Sequence, residues 1–286
     1  MNADIAPAAV TSAQGKDISN FQGVEPASFW SGYQFGFAKA TEGTTFLDGT
    51  FPGNWRNMKV EGIHRGAYHF FHPALDPIAQ AKFFVNYVQK QGLEPGDMLV
   101  ADVEITSGNV FTRLLGRKPR RNNLIQRPVS LGTVNVAARA FLDEVKNLVG
   151  TKFPILVYSN LSVGSQLSSC TGYPLWIAWP SSSAPGNVSP WGKWTFWQWG
   201  IAGGIDRDAF NGTAADLRAF IDSYANPQST GPYRHIVGAN TSVYDLATSR
   251  KTTVQTFLTR QGQYFTDADG EATVWKSGSV YYTAFP

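Results

Sequence analysis

The sequence predicts an α/β fold, an irregular (β/α) TIM-like barrel followed by a small C-terminal α+β or β-rich module. Short runs of β-branched and aromatic residues alternate with helical stretches over about 200 residues, a pattern typical of a parallel sheet covered by helices. The later strands follow one another with little helix between them, which makes the barrel irregular. Residues 233–286 do not continue the alternation and therefore form a separate module.

The predicted strands are short apolar runs, as expected for strands buried in a barrel wall. In chain order they read GKDIS, FGFAKA, HRGAYHFF, MLVADVE, FPILVYS, PLWIAW and KWTFWQW. Helices are predicted at residues 51–61, 77–91, 132–148 and, closing the barrel, 214–224. The second helix has Pro77 in its first turn, where proline loses no hydrogen bond. Its apolar stripe consists of Ala81, Phe84, Val85 and Val88.

The chain divides into four segments. Residues 1–15 are Ala-rich without periodicity and predict a flexible lead-in, residues 16–225 form the barrel, and residues 226–232 (NPQSTGP) have the composition of a linker. Within the module at 233–286 the pattern predicts strands and two short helices. The strands are expected at 233–237, 263–265, 272–276 and 279–285, and the helical pieces at 242–249 and 253–259.

Composition excludes several classes of protein. The 24 Lys and Arg residues against 21 Asp and Glu leave a net charge of only +3, too small for a chain-wide nucleic-acid surface. No apolar run approaches the roughly 20 residues that cross a bilayer, so stable membrane insertion is not expected, and the start lacks the pattern of a Sec signal. A single cysteine, Cys170, rules out a disulfide scaffold and a cysteine-based metal site.

Tryptophan is unusually clustered. Four of the nine Trp residues fall within residues 191–199. Aromatic faces suit the apolar C–H faces of sugar rings, although core packing explains some of these residues equally well.

Acidic residues end several of the predicted strands, where a barrel gathers its catalytic side chains. Asp17 lies in the first strand, Asp102 and Glu104 end MLVADVE, and Asp206 and Asp208 follow the Trp-rich strand. Because side chains alternate along a strand, Asp102 and Glu104 face the same side. Close carboxyl groups in a partly dry site cannot both ionise freely, so one can stay protonated as a general acid for glycosidic cleavage. Exposed edge strands carry such pairs by chance, but the apolar run before this pair indicates a central strand.

Eight motifs, in order and at matching intervals, resemble the glycoside hydrolase family 25 muramidases, the lysozymes of phage endolysins and bacterial autolysins. They are GKDISNFQG, FAKATEG, GAYHFF, VADVE, ILVYSN, LWIAW, WQW and IDRDAFNG, and the resemblance covers about residues 16–224. The resemblance implies an irregular β/α barrel that cleaves the β-1,4 bond between N-acetylmuramic acid and N-acetylglucosamine in peptidoglycan.

The resemblance also implies roles for the acids. Glu104 matches the general acid, and Asp102 matches its partner, which would orient the substrate's acetamido group if that group is the nucleophile. A direct carboxylate nucleophile and an inverting route stay open. Asp17 and Asp206 match the other acidic positions and would support an oxocarbenium-like transition state. The family usually has Asn where this sequence has Asp208, and the register favours Asp206 as the residue facing the groove.

Further matches suggest a substrate-binding groove. Tyr68, Tyr158 and Gln198 match groove-lining positions, with Asp208 beside them, and Trp176 and Trp197 are candidate stacking faces. Tyr and Trp also fill barrel cores when their polar tips find partners. Glu42 in KATEG matches a motif position that we interpret as a hydrogen-bond partner rather than a catalyst.

No metal site and no cofactor are predicted. His64, His69 and His72 lie close in sequence, but the last two have opposite strand parity and are expected to be hydrogen-bonded or to line the groove. The stretch at 267–271 resembles the start of a calcium loop, but it lacks the downstream Glu, so a hairpin turn is expected. Nucleophile elbows, P-loops and dinucleotide fingerprints are missing from the sequence.

Two segments receive weaker interpretations. Residues 233–258 resemble a LysM repeat, a module that binds N-acetylglucosamine-containing glycans, and we expect wall binding from this part of the chain. The segment Arg113–Arg127 holds six basic residues and no acid, which predicts a solvated loop or contact with an anionic polymer.

Taken together, the residues and the resemblance predict a modular peptidoglycan hydrolase whose partner is bacterial peptidoglycan. It would accumulate in the host cytoplasm as a phage endolysin until lysis releases it to the cell wall, or it would be carried by the virion. The alternatives are a catalytically silent, lectin-like glycan-binding barrel and a chitinase-type endoglycosidase. The fuller acidic run of the chitinase type is absent here, since Leu99, Val100 and Ala101 precede Asp102.

Overall fold

A computed structural model describes residues 12–104 and 130–225, together with six strands of the C-terminal part. The chain separates into two compact units, Met1–Asn226 and Pro227–Pro286, and each is described by itself. The basic segment Arg113–Arg127 lies outside the described residues, as does the turn predicted at 267–271.

The first unit is a closed eight-stranded barrel surrounded by helices, which confirms the predicted fold class. Seven strands run parallel, and the last strand, β9, pairs antiparallel with both β8 and β1 to close the barrel. A short strand, β3, is added antiparallel to β2 outside the closed ring. The strands are β1 (Gln14–Ile18), β2 (Phe35–Glu42), β3 (Phe46–Leu47), β4 (His64–Phe70), β5 (Met98–Asp102), β6 (Ile155–Asn160), β7 (Leu175–Ala178), β8 (Phe196–Ala202) and β9 (Ile205–Phe210).

The helices begin where the sequence supplies caps. Asp76, Ser130 and Asn160 each accept a hydrogen bond from a backbone N–H of the helix that follows. In the first unit helices form where they were predicted, and a short additional helix follows β6. They are α1 (Phe51–Glu61), α2 (Pro77–Lys90), α3 (Leu131–Val149), α4 (Leu161–Gly164) and α5 (Ala214–Ala225), with 3₁₀ turns at Ala27–Trp30 and Ser168–Cys170.

Because side chains alternate between the inner and outer faces of each strand, the barrel has separate inner and outer cores. The inward-facing side chains form an aromatic interior, while the outward-facing ones pack beneath the helices. The interior is dense enough to exclude a methyl group at two positions. A Cβ at Gly15 would lie 2.3 Å from the Phe35 ring, and one at Gly66 would lie 2.3 Å from the Phe37 ring. Glycine at these positions makes room for the two rings.

The barrel wall between β7 and β8 is covered differently. Leu175, Ile177 and Trp197 face outward there and pack with Val188 from the loop that joins the two strands. Because a loop replaces the helix on this side, the barrel is irregular in the way that its sequence predicts.

The second unit is β-rich in its described part. Strand β10 (His235–Val237) begins a four-stranded sheet of order β10-β15-β14-β13, completed by β13 (Tyr264–Phe265), β14 (Thr273–Ser277) and β15 (Val280–Ala284). The helix predicted at 242–249 is wrong at its start, since β11 (Ser242–Asp245) pairs antiparallel with β12 (Arg250–Thr253). The apolar pair Val243 and Tyr244 between two polar residues suits a short hairpin strand as well as a helix. The LysM-like interpretation, which needs a helix here, therefore finds no support in the described strands.

Candidate active site

The acids predicted from the sequence gather at one end of the barrel, where the parallel strands end. Asp17 lies directly opposite Asp206 in the β1–β9 register, and Asp102 at the end of β5 lies beside Tyr158 of β6. Because β9 runs antiparallel, its first residues reach the same end as the last residues of β1 and β5. The four predicted catalytic acids, including Glu104 two residues after Asp102, thus surround one opening.

A hydrogen-bonded chain crosses the opening. The Tyr158 hydroxyl donates to Oε1 of Gln198 at 2.9 Å, and Nε2 of Gln198 donates to Oδ2 of Asp17 at 2.7 Å. Since the amide nitrogen must face the carboxyl group, these bonds fix which way the Gln198 amide points. The chain ties together β6, β8 and β1, and it places a phenol close to the acid pair on β5.

Asp102 and Glu104 differ in exposure and hence in chemistry. Asp102 is only 6% exposed, and among the described residues its Oδ1 has no hydrogen-bond partner. Burial, and then the charge of Glu104, raise the pKa of Asp102 well above its usual range. Glu104 is half-buried at the opening, and burial also raises its pKa, opposed by hydrogen bonds with Tyr158 and Asp102. Glu104 is therefore the acid that can hold a proton and still reach a ligand.

The remaining acids form a second group. Burial, followed by the charge of Asp206, raises the pKa of Asp17 to about 8, and burial raises that of Asp206 to about 6. Asp206 is half-buried at the opening, as its register suggests. Asp208 does not reach the opening: it is fully buried two residues deeper, and its Oδ1 accepts a 2.8 Å hydrogen bond from Nε1 of Trp176. The structure does not support the predicted contact of Asp208 with substrate, because the barrel interior encloses this residue.

The structure also corrects the two stacking residues. Trp176 is 2% exposed and stacks on Phe37 inside the barrel, with ring centroids 4.2 Å apart. Trp197 is 1% exposed on the outer side, where its Nε1 donates to the carbonyl oxygen of Trp179. Neither indole presents a face to a ligand, because both pack into cores. Tyr68 is half-buried on the inner face of β4, where its ring and that of Trp176 make an edge-to-face contact with centroids 6.5 Å apart.

A cation that the sequence interpretation missed lies beside the acids. Lys39 has the same inward parity on β2 as Phe37, and its Nζ lies 2.6 Å from Oε2 of Glu42. Its charge opposes the upward shifts in the pKa values of Asp102 and Glu104. Parity counted from the phenylalanines of FGFAKA would have placed it inside the barrel.

Glu42 is a hydrogen-bond partner, as predicted. Its Oε1 lies 2.9 Å from Nε2 of His72. Although burial disfavours its charge, the bonds to His72 and Lys39 lower the pKa of Glu42 to about 2. Glu42 therefore stays ionised and holds Lys39 in place.

The histidines serve the fold. His69 is buried between Oγ1 of Thr41, 2.7 Å from its Nδ1, and Oε1 of Gln80, 3.2 Å from its Nε2. Burial lowers the pKa of His69 to about 3, so the ring is neutral. Within residues 12–104 and 130–225, no group of His, Cys, Asp or Glu is arranged to hold a metal ion. In the same ranges no helix has the length and apolar character needed to span a membrane.

Comparisons with known proteins agree with this geometry. The family model described as "Glycosyl hydrolases family 25" matches residues 13–207. Lysozyme M1 of Streptomyces globisporus is 30% identical over 245 residues, covering 77% of this chain and 75% of that protein. An N,O-diacetylmuramidase of Arthroderma benhamiae is 32% identical over 224 residues, covering 73% and 86%. The crystal structure of the bacterial lysozyme from Streptomyces coelicolor superimposes with a TM-score of 0.60 at 27% identity, covering 76% of this chain and 99% of that one. The chain therefore belongs to glycosyl hydrolases family 25, as a glycoside hydrolase of the muramidase type.

Proposed function

We propose that this enzyme hydrolyses the β-1,4 bond between N-acetylmuramic acid and N-acetylglucosamine in bacterial peptidoglycan. The observation that carries the proposal is the pairing of Glu104, half-buried with a raised pKa, with the more deeply buried Asp102 at the barrel opening. Lysozyme and N,O-diacetylmuramidase, the names of the two relatives, support the choice of cell-wall glycan as substrate.

The residues suggest a sequence of steps. Glu104 donates its proton to the glycosidic oxygen as the bond from that oxygen to the anomeric carbon breaks. The carboxyl group of Asp102, beside Glu104, would accept the N–H of the substrate's acetamido group, which turns the acetamido oxygen toward the anomeric carbon. Water then adds at that carbon and returns a proton to Glu104. We propose this substrate-assisted, retaining route, and analysis of the anomer first released would test it.

Asp17 and Asp206 support the developing positive charge. Each proton that this pair loses adds negative charge next to the opening, where an oxocarbenium-like ring would form. The hydrogen bonds that join Tyr158, Gln198 and Asp17 fix the positions of the two groups of acids relative to each other across the opening.

The biological role is also a proposal. We propose a phage endolysin that accumulates in the host cytoplasm and reaches the wall at lysis, with virion association as the alternative, and a C-terminal unit that binds the wall. The separate compact unit at Pro227–Pro286 supports a tethered binding module. Removing residues 227–286 should weaken sedimentation with purified walls while sparing cleavage of soluble fragments. If sedimentation is unchanged, the module does not bind the wall.

Product analysis tests the reaction. Purified peptidoglycan is digested with the wild type, with Glu104→Gln and with Glu61→Gln, which makes the same change at the end of α1, away from the opening. The products are analysed by mass after borohydride reduction. Muramitol ends from the wild type and Glu61→Gln, with a loss of about 10²- to 10⁴-fold in Glu104→Gln, support the proposal.

The other outcomes separate the alternatives. Glucosaminitol ends would mean a glucosaminidase, and cleavage of chitin in preference to peptidoglycan would mean a chitinase-type enzyme. New amino termini without reducing ends would exclude a glycosidase, and retained wall binding without products would indicate a lectin.

A further inference from the structure

Two tryptophans of the Trp-rich segment at residues 191–199 take no part in the site described above. Trp191 and Trp194 lie at the other end of the barrel, because they precede β8, whereas Gln198 further along β8 reaches the acids. The aromatic interior, including Phe196, lies between the two ends. A different role is needed for these two half-buried indoles.

They line an open cleft of about 350 Å³ at the end where the parallel strands begin. Its aromatic wall combines Trp191, Trp194, Phe220 and Tyr224. All four rings are half-buried, so each keeps part of its surface open to solvent. Several half-exposed rings around one concave surface form an apolar wall of the kind that a flat, partly apolar ligand needs.

The rings are held in place before any ligand arrives. Nε1 of Trp191 donates to the carbonyl oxygen of Tyr173 at 2.8 Å, and the ring of Trp194 meets that of Trp197 edge-on at 5.8 Å. Phe220 contacts Tyr224, with centroids 5.4 Å apart. A preformed wall costs little conformational entropy on binding.

Exposed polar groups complete the cleft. Thr171, Lys193 and Asn211 line it, and all three are exposed. Among the described residues that line it, none is acidic. A hydroxyl, an amide and an ammonium group beside aromatic faces fit a sugar that carries hydroxyl, acetamido and carboxylate groups. One cation is too few for a polyphosphate, and three polar groups disfavour a purely apolar ligand.

We propose that this cleft is a second, non-catalytic binding site for N-acetylated glycan strands on the barrel itself. The inference rests on the proposed function only in taking peptidoglycan as the polymer. A strand held at the far end of the barrel keeps the enzyme on its insoluble substrate between cleavage events, because a second contact raises the local concentration of the first.

The test uses the full chain carrying Glu104→Gln, labelled with ¹⁵N, and a soluble tetrasaccharide of alternating N-acetylglucosamine and N-acetylmuramic acid. Amide resonances are followed during titration. We expect shifts at residues 171–173 and 193–195 in addition to those around the catalytic opening. Trp194→Ala should remove the first set alone, and Trp199→Ala, the same change at a half-buried indole outside the cleft, should leave both.

Function is measured in the active enzyme. Trp194→Ala should weaken binding to insoluble walls by about three- to tenfold while cleaving the soluble tetrasaccharide at the wild-type rate. Lys193→Ala, at an exposed side chain, gives a second variant in case Trp194→Ala fails to fold. The proposal is overturned if the tetrasaccharide saturates the catalytic opening without shifting amide resonances at the cleft. It is also overturned if Trp194→Ala and Lys193→Ala both bind walls as the wild type does. If amide resonances at the cleft shift but the active enzyme releases no sugars, the proposed reaction is contradicted while the proposed binding site is supported.

Discussion

Asp208 is a buried carboxyl group whose replacement by Asn should stabilise the barrel at neutral pH. Burial raises the pKa of Asp208 well above 3.8, followed by the charge of Asp17. The folded chain therefore keeps a proton that the unfolded chain releases as pH rises above about 4. Since the folded state binds more protons, stability falls with rising pH in this range.

The size of the effect follows from the same shift. The penalty is about 1.4 kcal/mol for each pH unit over which the folded chain keeps the proton and the unfolded chain has lost it. The Asn amide avoids it because it does not ionise. Its oxygen can still accept from Nε1 of Trp176, and its NH₂ takes the place of Oδ2, which has no hydrogen-bond partner among the described residues.

Unfolding in guanidinium, followed by tryptophan fluorescence at pH 4.5, 5.5 and 7, measures the difference between wild type and Asp208→Asn. We expect the advantage of the variant to grow as the pH rises and nearly to vanish toward pH 4. Asp222→Asn makes the same chemical change on α5, outside the barrel interior, and serves as the matched control. A pH-independent difference for Asp208→Asn would show that Asp208 is ionised in the fold and refute the reasoning.

Three further predictions concern the site and the core. Tyr158→Phe removes a hydrogen bond that lowers the pKa of Glu104, so the loss of activity at high pH should move to higher pH; an unchanged pH–rate profile would contradict this. Arg65→Ala leaves Asp97 buried without its paired guanidinium and should lower the free energy of unfolding by about 3–5 kcal/mol. Lys59→Ala, at the exposed ion pair with Glu94, should lower it by less than about 1 kcal/mol. Equal losses in the two variants would show that burial gives the Arg65–Asp97 pair no special role. Gly66→Ala drives a Cβ into the Phe37 ring and should destabilise the barrel by about 1–3 kcal/mol or more, while Gly172→Ala, where a Cβ meets open space, serves as the calorimetric control.

Sequence patterns predicted what depends on local order. Strand parity placed Asp102 and Glu104 on one face, and the helix caps and stripes gave the helices close to their observed bounds. The patterns could not separate a Trp that stacks on sugar from one that fills a core, because both need an aromatic residue at an inward position. That distinction for Trp176 depends on Phe37, Tyr158 and Asp208, which approach it from three other strands.

The remaining misses have the same origin. The sequence interpretation placed IDRDAF after the Trp-rich strand and predicted no strand there, because a hairpin strand with charged residues lacks an apolar run. In the barrel it pairs with β8 and also with β1, at the other end of the unit's sequence, and that long-range pairing decides which acid reaches the opening. The inward position of Lys39 was available from parity, but its pairing with Glu42 depends on the register irregularity in β2 after Lys39.

The closure of the barrel by β9 affects how the protein folds while it is being synthesised. Until β9 leaves the ribosome, β1 and β8 are both open strand edges, and open edges invite pairing with other chains. Asp17 is synthesised among the first barrel residues, yet its partners Gln198 and Asp206 are among the last. The contacts that hold the acids together are therefore among those of high sequence separation in the barrel, and such contacts form late. A chain interrupted before residue 205 contains most of the helices but cannot assemble the active site. Hydrolytic activity therefore arises in the cell only after the whole barrel has been translated.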